Sequence, residues 1–175
     1  MTIGLSAPAR RLGLVAAACA ALAAPDAGQA QGAVTATHGD WQIRCTEAAA
    51  GAPSTCALAQ AVVAEDRPQI SLSIWIWKTA AEGPVLRAIA PLGVALPRGL
   101  GLVVDGQSLS PVPFQYCSAE GCVAEVLVDD RLLAILRSGT SALFVFALNA
   151  EPTSGIGVPI SLNGFAAGFV ALAQP

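Results

Sequence analysis

The sequence is poor in histidine and in charged residues, and both deficits limit the kinds of catalytic and metal-binding site that it can form. Charged side chains make up 12% and aromatic ones 5% of its 175 residues, and His38 is the single histidine. One histidine cannot build a multi-histidine metal site, and a nucleophilic triad would depend on it alone. The phosphate-binding patterns GxGxxG and GxxxxGKS/T and the zinc-protease pattern HExxH are absent as well. We therefore expect no catalytic residue, no metal site and no cofactor.

Positive charge is also scarce. The chain has 9 lysines and arginines against 12 acidic residues, a net charge of −3, and no basic cluster. A nucleic-acid-binding protein normally concentrates positive charge on one face or along one helix. We therefore expect no nucleic-acid partner.

The acidic residues form no evident pair across a cleft, which glycoside hydrolysis would need. Asp129 and Asp130 are adjacent at the start of a predicted helix, and one of them is expected to cap it. Asp105 precedes Gly106 and is expected to serve a turn. His38 is expected to be a solvated residue ahead of the first strand, where it cannot act as a positioned base.

What the sequence does have is an N-terminus with the pattern of a secretory signal peptide. Arg10 and Arg11 precede an uncharged apolar run over residues 12–24. Residues 28–30 place small side chains at the −3 and −1 positions, which predicts cleavage before Gln31. The run is shorter than the roughly 20 apolar residues that a transmembrane helix needs.

Two variants of this export signal stay open. Arg10 and Arg11 can be interpreted as a twin-arginine signal, and Cys19 as a lipidation site, although the flanking residues fit neither consensus well. In either case we expect an exported protein that is periplasmic, associated with the envelope or released. The expected organisation is a cleaved signal peptide over 1–30, a flexible lead-in over 31–38 and one β domain over 39–175.

Four cysteines remain after residue 30, and an even number in an exported protein predicts two disulfides. Four cysteines allow three connectivities, but the short spacings favour the local pairs Cys45–Cys56 and Cys117–Cys122. A redox motif would have CxxC spacing, whereas Cys117 and Cys122 are separated by four residues. A four-cysteine zinc site would also need the closer spacing that is missing here.

The rest of the chain alternates apolar and polar residues over short segments separated by proline and glycine, which is typical of β-strands. Residues 129–136 predict one short helix, and residues 164–172 predict either a last strand or a second short helix. The fold class is therefore all-β: a single-domain β-sandwich, or a closed barrel-like sandwich, of eight or nine short strands with one short helix. An outer-membrane barrel would need two aromatic girdles, which 3 Trp, 1 Tyr and 5 Phe do not supply.

The segment over residues 70–78 offers the best candidate binding surface. Ile70, Leu72, Ile74 and Ile76 alternate with the candidate surface residues, which are Ser71, Ser73, Trp75 and Trp77. Two indoles on one face could stack on a sugar ring or anchor a partner protein. The favoured interpretation is nevertheless that this face packs against the opposite sheet, because aromatic residues are ordinary in buried strands. High solvent exposure of both indoles would favour binding instead.

Several motifs, taken in order, resemble the invasion-associated locus B family across nearly the whole segment after residue 38. Asn163 departs from the family pattern, which often has a basic residue before the Gly-Phe pair. The matching motifs are Gly39-Asp40-Trp41 with Cys45, Cys56 and Gln60; the block over 91–105; Pro113-Phe114 with Cys117 and residues 121–124; Pro159 to Leu162; Gly164-Phe165; and Ala171-Leu172.

The resemblance implies an exported β-sandwich protein of the kind common in alphaproteobacteria, with a family name that derives from host-cell invasion. We therefore expect a cell-envelope binding protein without catalytic chemistry, which contributes to host-cell association in some lineages. Its expected partner is an envelope or host-surface protein or polymer. A periplasmic enzyme or enzyme modulator and a purely structural envelope component are the alternatives.

Overall fold

The computed structural model describes residues 32–46 and 54–172, and these residues form two β-sheets and two short α-helices. The predicted signal peptide over 1–30 lies outside the described residues. In chain order the elements are β1 Ala33–His38, β2 Trp41–Cys45, β3 Cys56–Ala64, β4 Arg67–Thr79, β5 Gly83–Ala90, β6 Gly101–Val104, β7 Gln107–Ser108, β8 Phe114–Ser118, β9 Gly121–Leu127, α1 Asp130–Ser138, β10 Ser141–Leu148, β11 Glu151–Ser161 and α2 Phe165–Ala171.

The all-β prediction is confirmed, although the described residues contain eleven strands and two α-helices rather than eight or nine strands and one helix. One sheet has seven strands in the order β1-β2-β3-β4-β5-β9-β8, and the other has four in the order β11-β10-β6-β7. Neighbouring strands pair antiparallel throughout. Residues 91–100 connect β5 of the first sheet to β6 of the second.

The core lies between the two sheets and forms one cluster of buried side chains. β4 contributes Ile70, Leu72, Ile74 and Ile76, none of which is more than 2% exposed. The four-stranded sheet contributes Phe144 and Phe146 from β10, together with alternate residues of β11. Burying each of these side chains stabilises the fold by about 1.5–3 kcal/mol relative to leaving it in water.

The prediction of a flexible lead-in over 31–38 is wrong, because Ala33–His38 forms edge strand β1. It pairs antiparallel with β2, with a register shift between Val34 and Ala36. Three of its six residues are β-branched, which favours a strand. Pairing with β1 also gives hydrogen-bond partners to backbone groups of β2 that would lack them if β2 were the edge strand.

The two helices follow from local signals of different strength. Asp129 caps α1 as predicted, since its Oδ1 accepts a hydrogen bond of 2.7 Å from the backbone N of Leu132.

Residues 164–172, for which the sequence left a strand and a helix open, form helix α2. Its Phe165 and Phe169 pack into the core, and Lys78 of β4 donates a 2.8 Å hydrogen bond to the carbonyl of Leu172 at its end. Burial lowers the pKa of the Lys78 ammonium. In the described part of the chain, neither helix has the length and apolar character needed to cross a membrane.

Both predicted disulfides are present. Cys45 is bonded to Cys56 across β2 and β3, and Cys117 is bonded to Cys122 across β8 and β9. Each bond links residues that are directly opposite in the strand register. The disulfides therefore fasten two hairpins on opposite halves of the seven-stranded sheet.

Removing either disulfide should lower the free energy of unfolding by about 2–3 kcal/mol, because short closed loops restrict the unfolded chain by that amount. The loop between Cys45 and Cys56 spans 11 residues and the other spans 5, so the double change Cys45→Ala/Cys56→Ala should cost slightly more than Cys117→Ala/Cys122→Ala. Guanidinium denaturation of each variant against the oxidised and the fully reduced wild type measures this. An unchanged stability in both variants would contradict the prediction.

Candidate functional site

The candidate binding residues of β4 lie on the outer face of the seven-stranded sheet, away from the core. Ser71 is exposed, while Ser73, Trp75 and Trp77 are half-buried. The favoured prediction that this side packs against the opposite sheet is therefore wrong, although neither indole has the high exposure that was set as the mark of a binding surface. The branched aliphatic side chains of the other side fill the space between the sheets, whereas Trp75 keeps its indole N–H hydrogen-bonded to the Ser73 hydroxyl at 3.3 Å.

A complete row of side chains crosses this outer face from β2 to β9. Gln42 lies opposite Ala59, Ala59 opposite Trp75, Trp75 opposite Arg87, and Arg87 opposite Glu125. Neighbouring strands lie about 4.8 Å apart, so the row extends over roughly 19 Å. Trp75 is at its centre, since β4 is the middle strand of the seven.

Arg87 holds Trp77 in position on this face. Its guanidinium carbon lies 4.7 Å from the centroid of the Trp77 ring, and the same guanidinium forms an ion pair with Glu125. Both charged side chains remain partly exposed, at 36% and 23%. A stacked and paired arginine of this kind contributes order more than stability, because solvent screens the ion pair.

A groove of about 600 Å³ runs across the outer face beside the two indoles. Ala57 and Ala61 of β3 line it, and their small side chains create the depression between Arg44 on β2 and the indoles on β4. Thr46 and Thr55 lie at one end, whereas Ser71, Ser73 and Glu120 also border the groove. Glu120 is exposed in the turn between the bonded cysteines.

Exposed apolar side chains surround the groove on the same face. The strand register places each of them beside a residue of the outer face, such as Val34 beside Arg44 and Leu127 beside Val85. A solvated face of an antiparallel sheet normally carries mostly polar side chains, so these apolar residues distinguish the outer face from an ordinary solvated one. The four large apolar residues are Val34 at 47%, Val63 at 58%, Tyr116 at 50% and Leu127 at 53% exposure.

The motif around Trp41 and Gln60 has a structural role. Gln60 is 7% exposed and points between the sheets, where its amide nitrogen donates to the carbonyls of Asp40 and Ser161 at 2.9 and 3.2 Å. Its carbonyl oxygen accepts from the backbone N of Ser161 at 3.1 Å. The Trp41 indole N–H donates to the same Ser161 carbonyl at 2.9 Å. We call Asp40, Trp41, Gln60 and Ser161 the inter-sheet joint, because they connect β2 and β3 to β11.

The resemblance included Gln60, but the sequence analysis assigned it no role. A lone glutamine at a core-facing position of an otherwise apolar strand was the available signal, since a buried amide must find hydrogen-bond partners. Its partners lie about a hundred residues away in sequence, so the pattern of β3 alone could not identify them.

The remaining titratable residues singled out from the sequence do not converge on one site. His38 is not a solvated residue, because it belongs to β1 and its Nε2 is enclosed without a hydrogen-bond partner. The Asp105 carboxylate accepts hydrogen bonds from the backbone N–H groups of Thr140 and Ser141 at 2.8 and 2.9 Å, which ties its turn to the start of β10. Within residues 32–46 and 54–172, no three His, Cys, Asp or Glu side chains group as metal ligands would.

Known proteins match this chain in sequence and in fold. A family model described as invasion associated locus B (IalB) protein matches residues 41–173. An invasion protein B homolog of Brucella abortus strain 2308 is 27% identical over 131 residues, which cover 75% of this chain and 74% of the relative. The homolog in Brucella abortus biovar 1 matches to the same extent. The crystal structure of invasion associated protein B from Bartonella henselae has a similar fold, with a TM-score of 0.63 at 24% identity over 80% of this chain and 95% of that one.

The matched segment begins at Trp41 in the inter-sheet joint and ends just beyond α2, so it includes both disulfides and the whole outer face except β1. Several motifs that carry the resemblance build the joint and the turns around it, namely Gly39-Asp40-Trp41, Gln60, Pro159 to Leu162 and Gly164-Phe165. With most of its length matched by the family model, this chain belongs to the invasion-associated locus B family.

Proposed function

We propose that this protein is an exported cell-envelope binding protein that contacts its partner through the outer face of the seven-stranded sheet. The observation that carries the proposal is the position of Trp75 and Trp77 on that face, outside the core and beside a groove. Tryptophan, tyrosine and arginine dominate the binding energy of protein surfaces, and this face presents Trp75, Trp77, Tyr116, Arg44 and Arg87. Ser73 and Arg87 contact the two indoles and hold them in place.

Export is supported by the pattern of residues 1–30 and by the two disulfides, which are stable in an oxidising compartment. The mature protein would begin near Gln31, just before β1, and act in the periplasm, at the envelope or after release. The relatives are named as invasion proteins, which supports a partner on the envelope or on a host surface.

Crosslinking of intact cells followed by mass spectrometry tests the proposal. The double change Trp75→Ala/Trp77→Ala should reduce the yield of one reproducible crosslinked partner at least tenfold, because loss of central aromatic residues typically costs 2 kcal/mol or more of binding energy. The expected cost in folding stability is smaller, since both indoles are already partly in water.

Leu143→Ala supplies the matched control, because Leu143 is a 37% exposed apolar residue on the outer face of the four-stranded sheet. It should leave the crosslinked partner in place. Retention of the partner in the tryptophan variant, or equal loss in both variants at unchanged melting temperature, would contradict the assignment of this face.

A further inference from the structure

The floor of the groove offers side chains but no free backbone groups. β3 pairs with β2 and β4, β4 pairs with β3 and β5, and β5 pairs with β4 and β9, so the N–H and C=O groups of these interior strands are engaged in the sheet. An extended peptide gains much of its affinity by adding a strand at a free sheet edge. That mode is excluded on this face, and its ligand must be recognised by side chains.

The side chains of the groove alternate apolar rings with hydroxyl groups. Trp75 and Trp77 are two residues apart on one side of β4, which places their Cα atoms about 6.7 Å apart along the strand. Ser71, Ser73 and Thr55 border the same groove. Indole rings offer flat apolar surface with a polar edge, and hydroxyl groups both donate and accept hydrogen bonds. A sugar ring has the matching composition, with C–H groups on its faces and hydroxyl groups around its edge.

Arg44 is one of three charged side chains that border the groove, together with Arg87 and the exposed Glu120. Its Nε and Nη2 donate to the Gln42 side-chain oxygen at 3.1 and 2.9 Å, which fixes the guanidinium plane. The described residues give it no carboxylate within ion-pair distance, whereas Arg87 is engaged with Glu125 and Trp77. Nη1 has no hydrogen-bond partner among the described residues, and a guanidinium held in one orientation can donate to a carboxylate oxygen.

We infer that the groove binds a linear polysaccharide that carries well-separated carboxylates. The inference rests on the proposed function and names the chemistry of the partner on the same face. The indoles stack on the sugar rings, the serine and threonine hydroxyls bond the ring hydroxyls, and Arg44 pairs with one carboxylate. A single available guanidinium in a groove of about 600 Å³ matches the low charge density of such a chain rather than that of a densely sulfated one.

Titration calorimetry of the purified, disulfide-bonded protein tests the inference with two matched probes. A hyaluronan hexasaccharide alternates glucuronate with N-acetylglucosamine, while chitohexaose consists of N-acetylglucosamine alone and carries no carboxylate. The hyaluronan fragment should bind at least tenfold more tightly, and added salt should weaken its binding. Tryptophan fluorescence should change on binding, since both indoles line the site.

Arg44→Gln should weaken hyaluronan binding about tenfold and abolish the preference over chitohexaose, while Arg131→Gln on exposed α1 should leave both unchanged. Equal affinity for the two probes, or unchanged binding in Arg44→Gln, would overturn the carboxylate recognition. Tighter binding of heparin than of hyaluronan, unaffected by Arg44→Gln, would likewise show attraction to charge alone.

The outcomes separate this inference from the proposed function. If neither glycan binds but crosslinking captures a protein in a Trp75- and Trp77-dependent manner, the inferred polysaccharide ligand is overturned and the proposed binding face is supported. If neither glycan binds and no crosslinked partner depends on the indoles, both are overturned.

Discussion

Replacing Gly164 by alanine should destabilise the domain by about 3–5 kcal/mol, one of the largest losses expected from a single methyl group in this protein. Gly164 has a φ of +86°, which alone costs an L-residue about 1–2 kcal/mol. A Cβ at this position would also overlap the carbonyl of His38 and lie 2.7 Å from the amide nitrogen of Gly39. These are backbone atoms of the turn that joins β1 to β2, so they cannot move aside without disturbing both strands.

Comparison with Gly106→Ala separates the cost of the steric overlap at Gly164 from the cost of the backbone strain. Gly106 has a nearly identical φ of +85°, yet a Cβ there would meet nothing within 4 Å. Its replacement should cost about 1 kcal/mol. Urea denaturation of both variants measures the difference, and Gly164→Ala should lower the melting temperature by more than about 10 °C. Equal losses for the two variants would show that the turns around Gly39 and Gly164 separate easily.

The contact between these turns explains why two glycines are needed at one place. Gly39 also has a positive φ, of +54°, and its Cβ would lie 2.6 Å from the carbonyl oxygen of Asn163. The Asp40 backbone N donates to the same carbonyl at 3.1 Å. The β1–β2 turn and the β11–α2 connection therefore touch through their backbones, directly beside the inter-sheet joint.

Gln60→Ala is the second change with a large expected effect, a loss of about 2–4 kcal/mol in the free energy of unfolding. The substitution removes three hydrogen bonds and leaves the Ser161 N–H and the Asp40 carbonyl without these partners between the sheets. An unsatisfied buried polar group costs about 1–3 kcal/mol. The small cavity left by the truncated side chain adds to the loss.

Gln42→Ala provides the control for this prediction. Gln42 lies on the neighbouring strand and also accepts hydrogen bonds through its side chain, from Arg44, but on the solvated outer face. Its replacement should change stability by no more than about 0.5 kcal/mol. Equilibrium denaturation of both variants measures the two changes in the free energy of unfolding. A loss below 1 kcal/mol for Gln60→Ala would contradict the prediction and mean that water replaces the amide in the joint.

Features that depend on neighbours in the chain follow from the sequence alone. The period of two over residues 70–78 predicted β4, since alternate side chains of a strand must point to opposite faces. Asp129 predicted the start of α1 because a cap bonds a backbone group only three residues away. The short spacing of the cysteines favoured the observed pairs, because a tight hairpin brings its own two strands together first.

Which face of β4 became the core depends on packing between the two sheets. Both sides of that strand are apolar enough to be buried, so the outcome depends on what the second sheet can pack against. The same holds for β1, whose partner β2 was needed to order it, and for Gln60, whose partners lie about a hundred residues away. Local pattern therefore determined β4, the start of α1 and the disulfide pairs. Contacts between distant segments determined the inter-sheet joint and left Trp75 and Trp77 on the outside, because only the packing of the two sheets specifies which side faces water.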